Sequence, residues 1–569
     1  MKKLTAGVLA VFLQSVALPA IASEDVGAYL AARQARYDHD FTAAAEYFTQ
    51  ALTRDTKNPS IMESAVISFM ALGDIERAVP VARLIEELGL KSQIANMALI
   101  AHGTAQEDYD VVIAQIENDR GIGALADGLI AAWIEMGRGD MDAALARFDD
   151  VAEQRGLKGF AHYHKALALA SVGDFETAEA IFSGRDDTPL QRTRRGVIAW
   201  TEILSQLERN EDAIALIDDA FGGSLDPEVS EMREALEQGT PLPFQLVTGA
   251  RDGVAEVFYT IGQALLADTS EDYTLLYARA AEYLKPGHVD AVLMGAELFE
   301  TLGRYDLATD TYRRVPRDHP AFPAAEMGRA ESLRRADKTD AAIEVLEALQ
   351  KSHPELAIVR VSTGDLYRQN ERYQDAVTAY DAALSLYNET GTEQWFVFYA
   401  RAISHERLGN WDAAEKDFRR ALELNPEHPQ VLNYLGYSLV EKQIKLDEAL
   451  GMIERAVQRQ PNSGYIVDSL GWVLYRLGRF EEAVGHMERA AELMPVDPVV
   501  NDHLGDVLWA VGRTVEAEFH WKRALSFVDE QNPSPDIDPD RIRRKLEVGL
   551  DVVLDEEGAP PLKVADDDG

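Results

Sequence analysis

Small residues recur along the second half of the chain at Ala308, Ala342, Ala376, Ala414, Ala449, Ala483 and Ala517, at spacings of 34, 34, 38, 35, 34 and 34. Four residues after each stands a large apolar side chain: Tyr312, Leu346, Tyr380, Phe418, Ile453, Met487 and Trp521. Residues four apart share a helical face, so each pair predicts a helix that crosses a neighbour closely at its small residue and fills a groove with its large one. Pro286, Pro320, Pro354, Pro426, Pro461 and Pro495 close most periods, where proline ends a helix. Runs such as Leu302-Gly303-Arg304-Tyr305, Leu408-Gly409-Asn410-Trp411 and Leu477-Gly478-Arg479-Phe480 predict the turn between two helices of one unit.

The first half keeps the rhythm less cleanly. Ala44 with Phe48, Ala78 with Ala82, Ala144 with Phe148 and Ala178 with Phe182 mark units, with degenerate ones around Val112 and near Ala213. Gly73-Asp74-Ile75 and Gly173-Asp174-Phe175 mark helix turns. The 61 residues from Ala213 to Thr274 contain Gly222-Gly223 and the run Gln238 to Phe244, which reads as an interruption. The expected fold is therefore all-α: about fourteen helix–turn–helix units in two arrays, 24–221 and 253–528, separated by a linker at 222–252. A capping helix at 529–555 and a disordered acidic tail at 556–569 complete the chain.

The period and the motifs resemble the tetratricopeptide (TPR) repeat, with its W-x2-L-G-x2-Y…A-x3-F…P pattern. That resemblance implies a solenoid, or superhelix, whose first helices line a concave groove at positions 2, 5, 9 and 12 of each unit. Carried onto this chain, those positions are Phe396 and Tyr399; Gln430, Asn433 and Tyr437; Tyr465, Asp468, Trp472 and Tyr475; and Asp502, Asp506 and Trp509. Aromatics beside Asn and Asp suit peptide recognition, and the same aromatics also suit inter-repeat core. The family's carboxylate clamp needs Lys and Asn at two of these positions. Asn433/Tyr437, Asp468/Trp472 and Asp502/Asp506 depart from it, which points to a basic or polar partner.

The runs Leu432–Ser438, Tyr465–Arg479 and Asn501–Asp506 are more particular than the general repeat. They resemble exported bacterial TPR proteins, and the LbcA-like TPR adaptors that bind a carboxy-terminal processing protease and deliver peptidoglycan hydrolases to it. Those adaptors carry a lipidated cysteine, and this chain has no cysteine at all.

Charge and composition narrow the chemistry. The chain has 56 basic and 97 acidic residues, a net charge of −41, with 13 acids against five bases in residues 529–569. Nucleic-acid binding is disfavoured, and disulfides, thiol catalysis and Cys-ligated metals are excluded. Lys2 and Lys3, the apolar stretch Leu4–Leu18 and Ala20-Ile21-Ala22 form a secretory signal, with cleavage expected after Ala22 or Ser23. No later segment is apolar enough to span a membrane, so the expected location is the periplasm or the exterior.

No phosphate-binding loop, nucleophile elbow or His-Glu-x-x-His stands in the chain. His162 and His164 point to different faces of a helix and read as solvated or partly packed repeat residues. Asp536, Asp538 and Asp540 alternate like a calcium loop but lack its glycine and its closing Glu, and read as a helix-capping loop. The expectation is a non-catalytic, cofactor-free, metal-free periplasmic scaffold or adaptor for protein partners, such as a protease or a cell-wall hydrolase. A glycan- or polysaccharide-binding protein, or an assembly factor of a secretion or pilus system, is the alternative.

Overall fold

The computed structural model describes residues 24–185, 190–222, 225–387, 391, 394–529 and 537–559. Among them it contains 31 α-helices and no strand, the all-α solenoid expected. Fourteen successive helix pairs follow one another along the chain, the first Glu24–Tyr37 with Phe41–Leu52 and the last Pro498–Ala510 with Thr514–Phe527. The signal at 1–23, Gly223, Asp536 and the tail from 560 lie outside the described residues.

The ladder residues do what their spacing demands. Ala376, Ala414, Ala449, Ala483 and Ala517 are all fully buried, as are Tyr380, Phe418, Ile453, Met487 and Trp521. Each large side chain sits over the first helix of its own unit. A Cβ on Gly364 would lie 2.6 Å from Tyr380, on Gly471 2.4 Å from Met487, and on Gly505 2.4 Å from Trp521. Burying such side chains contributes about 1.5–3 kcal/mol each. At the turns, Gly409 and Gly478 take φ of +77° and +74°, the left-handed region that L side chains avoid. In the first half Gly73 and Gly173 take the same left-handed turn, and Asp74 and Asp174 also cap the second helix, accepting from the backbone N–H of Arg77 and Thr177.

Two compact units make up the chain, one ending at Val345 and the other starting at Leu346. In the first, six helix pairs run from Glu24 to Phe221. The interval 222–252 then carries a helix, Pro227–Glu237, and an irregular run from Gly239 to Gly249. That run lies along the helix Arg194–Gln206: Ser205 Oγ and the side-chain amide of Gln206 bond the backbone of Leu242 at 2.9 and 2.6 Å. The Glu202 carboxylate accepts from the N–H groups of Gln245 and Leu246.

The chain then returns across the first helices of its own opening array. Ala250–Leu265 packs on Ala124–Gly137, with Gly253 against the Trp133 indole, where a Cβ would lie 2.1 Å away. His164 is fully buried, bridging Trp133 Nε1 at 3.2 Å and Thr260 Oγ1 at 3.1 Å. It is therefore a core residue rather than a solvated or partly packed one. Glu271–Leu284 follows: Arg279 donates to the carbonyl of Leu72 at 2.8 Å, and Tyr283 to Glu76 at 2.5 Å. Phe299 meets Phe41 edge to face at 6.2 Å.

In the second unit the region expected as one capping helix forms two, Pro539–Val548 and Leu550–Glu556. Asp538 caps the first of them, accepting from the N–H of Asp540 and Arg541.

Candidate functional site

The first helices of the second unit are Ala357–Gln369, Trp395–Arg407, Pro429–Glu441, Gly464–Arg476 and Pro498–Ala510. Pro429–Glu441 packs on Gly464–Arg476, and that helix on Pro498–Ala510, so the groove positions form a continuous strip. The structure sorts the twelve predicted residues along it into three states.

At the Pro498 end the strip is already occupied. Lys545, from the helix Pro539–Val548, has a fully buried ammonium 2.7 Å from Asp502 Oδ1 and 2.6 Å from Asp506 Oδ1. Trp521 Nε1 also donates to Asp506, at 2.9 Å, and Arg541 lies 3.5 Å from it. Trp509 donates its indole N–H to Asp551. Asp502, Asp506 and Trp509 thus bind the chain's own C-terminal helices instead of facing an open groove. A buried ammonium needs at least one carboxylate partner, and here it takes two.

The middle of the strip is packed but partly accessible. Asp468 pairs with His503 Nδ1 at 3.0 Å. Burial is the largest influence and opposes a charged His503, but Asp468 together with Asp502 and Asp506 holds the imidazole above its ordinary value. Trp472 stacks on His503 at 4.0 Å and on Tyr475 at 4.9 Å, and donates Nε1 to Glu441. Trp472 and Tyr475 are each only 8% exposed, so they belong largely to the inter-repeat core. Tyr399, half-buried, packs against Phe418 and Tyr434, and burial pushes its hydroxyl up. Phe396 packs on the cluster of Val361 and Tyr380.

The remaining four residues make up the more accessible part of the strip. Gln430 is exposed and Tyr465 is 64% exposed. Tyr437 is half-buried. The Asn433 side-chain oxygen is buried with no hydrogen-bond partner among the described residues. An acceptor in that state costs about 1–3 kcal/mol until a donor reaches it.

In the first unit the chain's own returning helices, Ala250–Leu265 and Glu271–Leu284, lie across the first helices of the array. They are tied down by a buried ionic cluster that the repeat pattern did not announce. Arg195 binds Glu256 at 2.6 Å and also pairs with Asp290, Tyr163 donates to Glu256 at 2.8 Å, and His288 stands 3.3 Å from it. Burial would raise Glu256, yet Arg195 and His288 hold its carboxyl well below the usual range. A carboxylate so held is a structural anion and not a proton donor. The adjacent Arg194-Arg195 at a helix start was the available signal. Among the described residues no cluster of His, Cys, Asp and Glu is arranged to hold a metal, and no helix is long and apolar enough to cross a membrane.

A family model described as tetratricopeptide repeat matches residues 29–90, 327–389, 399–464 and 441–498. The TPR repeat-containing protein PA4667 of Pseudomonas aeruginosa is 27% identical over 173 residues, covering 30% of this chain and 28% of that protein. Among solved structures, the APC/C hetero-tetramer Cut9–Hcn1 aligns over 93% of this chain and 97% of that one at 13% identity, with a TM-score of 0.38. A tetratricopeptide repeat protein from Parabacteroides merdae aligns over 46% of this chain and 98% of its own at 17% identity and a TM-score of 0.36.

Proposed function

We propose that this chain, a tetratricopeptide-repeat protein, is a non-catalytic scaffold that holds a protein segment along the first-helix strip of its second unit. TPR repeats are interaction modules, and the observation that carries the proposal is the unsatisfied Asn433 oxygen beside exposed Gln430 and Tyr465. A peptide N–H or a side-chain donor entering there would satisfy the acceptor while Tyr465 and Tyr437 supply contact area. The acid pair Asp502 and Asp506 is neutralised from within by Lys545, so a donor-rich polar segment fits better than a strongly basic one.

In this reading the chain acts in the periplasm after loss of residues 1–23, and its partners are proteins of envelope proteolysis or cell-wall remodelling, such as a protease or a hydrolase. A glycan ligand would need an open aromatic platform. The strip's two indoles are both engaged within the chain, Trp472 stacked on His503 and Tyr475 and Trp509 packed on Trp521, which favours the protein reading. The test is affinity capture from periplasmic extract with the wild-type chain and with Asn433→Ala plus Tyr465→Ala. Specific proteins retained by the first and lost by the second support the proposal; equal retention overturns it.

A further inference from the structure

The open end of the first unit carries a second site of opposite character. Tyr29, Arg33 and Arg36 lie on the opening helix Glu24–Tyr37 at the repeat's fifth, ninth and twelfth positions, the same register as the strip residues of the second unit. With Tyr37, His39, and Ser60 and Ser64 of the helix Pro59–Ala71, they line a cavity of about 710 Å³ against the buried Phe48. Among the described residues no carboxylate lines it. In a chain with 97 acidic and 56 basic residues that is unusual, since most arginines here are paired with Asp or Glu. Arg33 is exposed, lies over the Tyr29 ring at 5.9 Å, and makes no ion pair among the described residues. Arg36 is held by Ser64 Oγ at 2.7 Å, which aims its guanidinium, and makes no ion pair among the described residues.

Two guanidinium forks with no counter-ion among the described residues, flanked by the Ser60 hydroxyl and the His39 ring, are a recognition set for a carboxylate. The cavity also presents apolar surface. Its lining residue Tyr37 is 81% exposed, and Leu30, two turns earlier on the same face of the helix and just outside the lining, is 55% exposed. From the charge complementarity and this apolar rim we infer that the first repeat captures an acidic segment of a partner protein. A carboxylate would lie between Arg33 and Arg36, and a neighbouring apolar side chain would lie on Tyr37 and Leu30. The returning helices fill the central repeats of the unit, so the site is confined to its opening edge. The inference is independent of the strip on the second unit. One chain would then hold two different segments, a polar donor and an acidic one.

The probe is a fluorescein-labelled peptide rich in Asp, Glu and Leu, compared with its Asn/Gln counterpart and with inorganic phosphate, on the full chain. The acidic peptide should bind at least about tenfold more tightly than the amide peptide, with affinity falling steeply as salt shortens the screening length. Arg33→Gln plus Arg36→Gln should abolish the difference, and Arg33→Lys, which keeps charge but loses the fork, should give an intermediate loss. Arg33 is exposed, so unchanged thermal unfolding of Arg33→Lys confirms that the fold is intact. Equal binding of the two peptides, no effect of the double variant, or displacement of the acidic peptide by equimolar phosphate each overturns the inference.

Discussion

Lys545 places its ammonium 2.6 Å from Asp506 and 2.7 Å from Asp502, with none of its own side chain exposed. The terminal helix is thereby locked onto the last repeat by a charge that water cannot reach. Lys545→Met takes the ammonium away from two buried carboxylates, leaving Asp506 only the more distant Arg541 and the Trp521 N–H, and should cost about 3–5 kcal/mol. Adding Asp502→Asn and Asp506→Asn should recover much of that. Denaturant unfolding followed through Trp509 and Trp521, whose indoles bond to Asp551 and Asp506, reads both variants. A Lys545→Met chain as stable as wild type contradicts the lock.

Asn433 sets stability against binding. Asn433→Ala removes a buried acceptor that nothing satisfies, so the free chain should gain roughly 1 kcal/mol. The same change should weaken partner capture. A gain in thermal midpoint with undiminished capture would show that the strip binds elsewhere.

Glu202 and His164 give the first unit opposing pH responses. Burial raises Glu202 to about 7, against the pull of the Gln245 and Leu246 N–H groups. Folded chains therefore bind the extra proton, and stability falls by roughly 3 kcal/mol as pH rises from about 4.5 through 7. Burial lowers His164 to about 4, with Glu256 pulling the other way. Its stabilisation is complete above about 6.5, and roughly 3 kcal/mol is lost as pH falls towards 4. Between about 4.5 and 6.5 the two slopes offset one another. Glu202→Gln should make the thermal midpoint fall on acidification over that window, and His164→Gln should make it fall on alkalinisation. Identical slopes in the two variants would contradict the assignment.

Gly253 admits the Trp133 indole, and an added methyl would stand 2.1 Å from it. Gly253→Ala should cost about 1–3 kcal/mol and hasten proteolysis between Thr240 and Gly249. Gly249→Ala, with open space at its Cβ, is the control and should behave as wild type. Equal protease resistance of the two variants would mean that the return of the chain does not depend on this contact.

The repeat register was legible because it is local. A small residue, a large one four places on, and a glycine opposite it are all enforced inside one helix pair, as Ala517, Trp521 and Gly505 illustrate. Contacts between distant repeats leave no periodic trace. Nothing in the spacing around Gly253, Arg279 or Phe299 says that these residues meet Trp133, Leu72 and Phe41. The occupation of Asp502 and Asp506 had a fainter signal. Lys545 stands three residues after buried Ile542, on the inward face of an otherwise basic helix, where a lysine implies a buried acid. Resemblance to the family placed the groove positions, but which of them stay open is decided by what the rest of the chain packs against them.

The bond from Arg279 to the Leu72 carbonyl joins residues 207 apart in sequence. A repeat array assembled from neighbour contacts alone can fold as it is synthesised, one hairpin after another. The opening array here cannot finish that way. Its Pro59–Ala71 and Gln93–Ala105 helices gain their covering only once Glu271–Leu284 has been made. At a synthesis rate of about 5–20 residues per second, that is a wait of roughly 10–40 s. The unit therefore folds with the high contact order of a globular domain, and its early intermediates carry an uncovered apolar face throughout that interval.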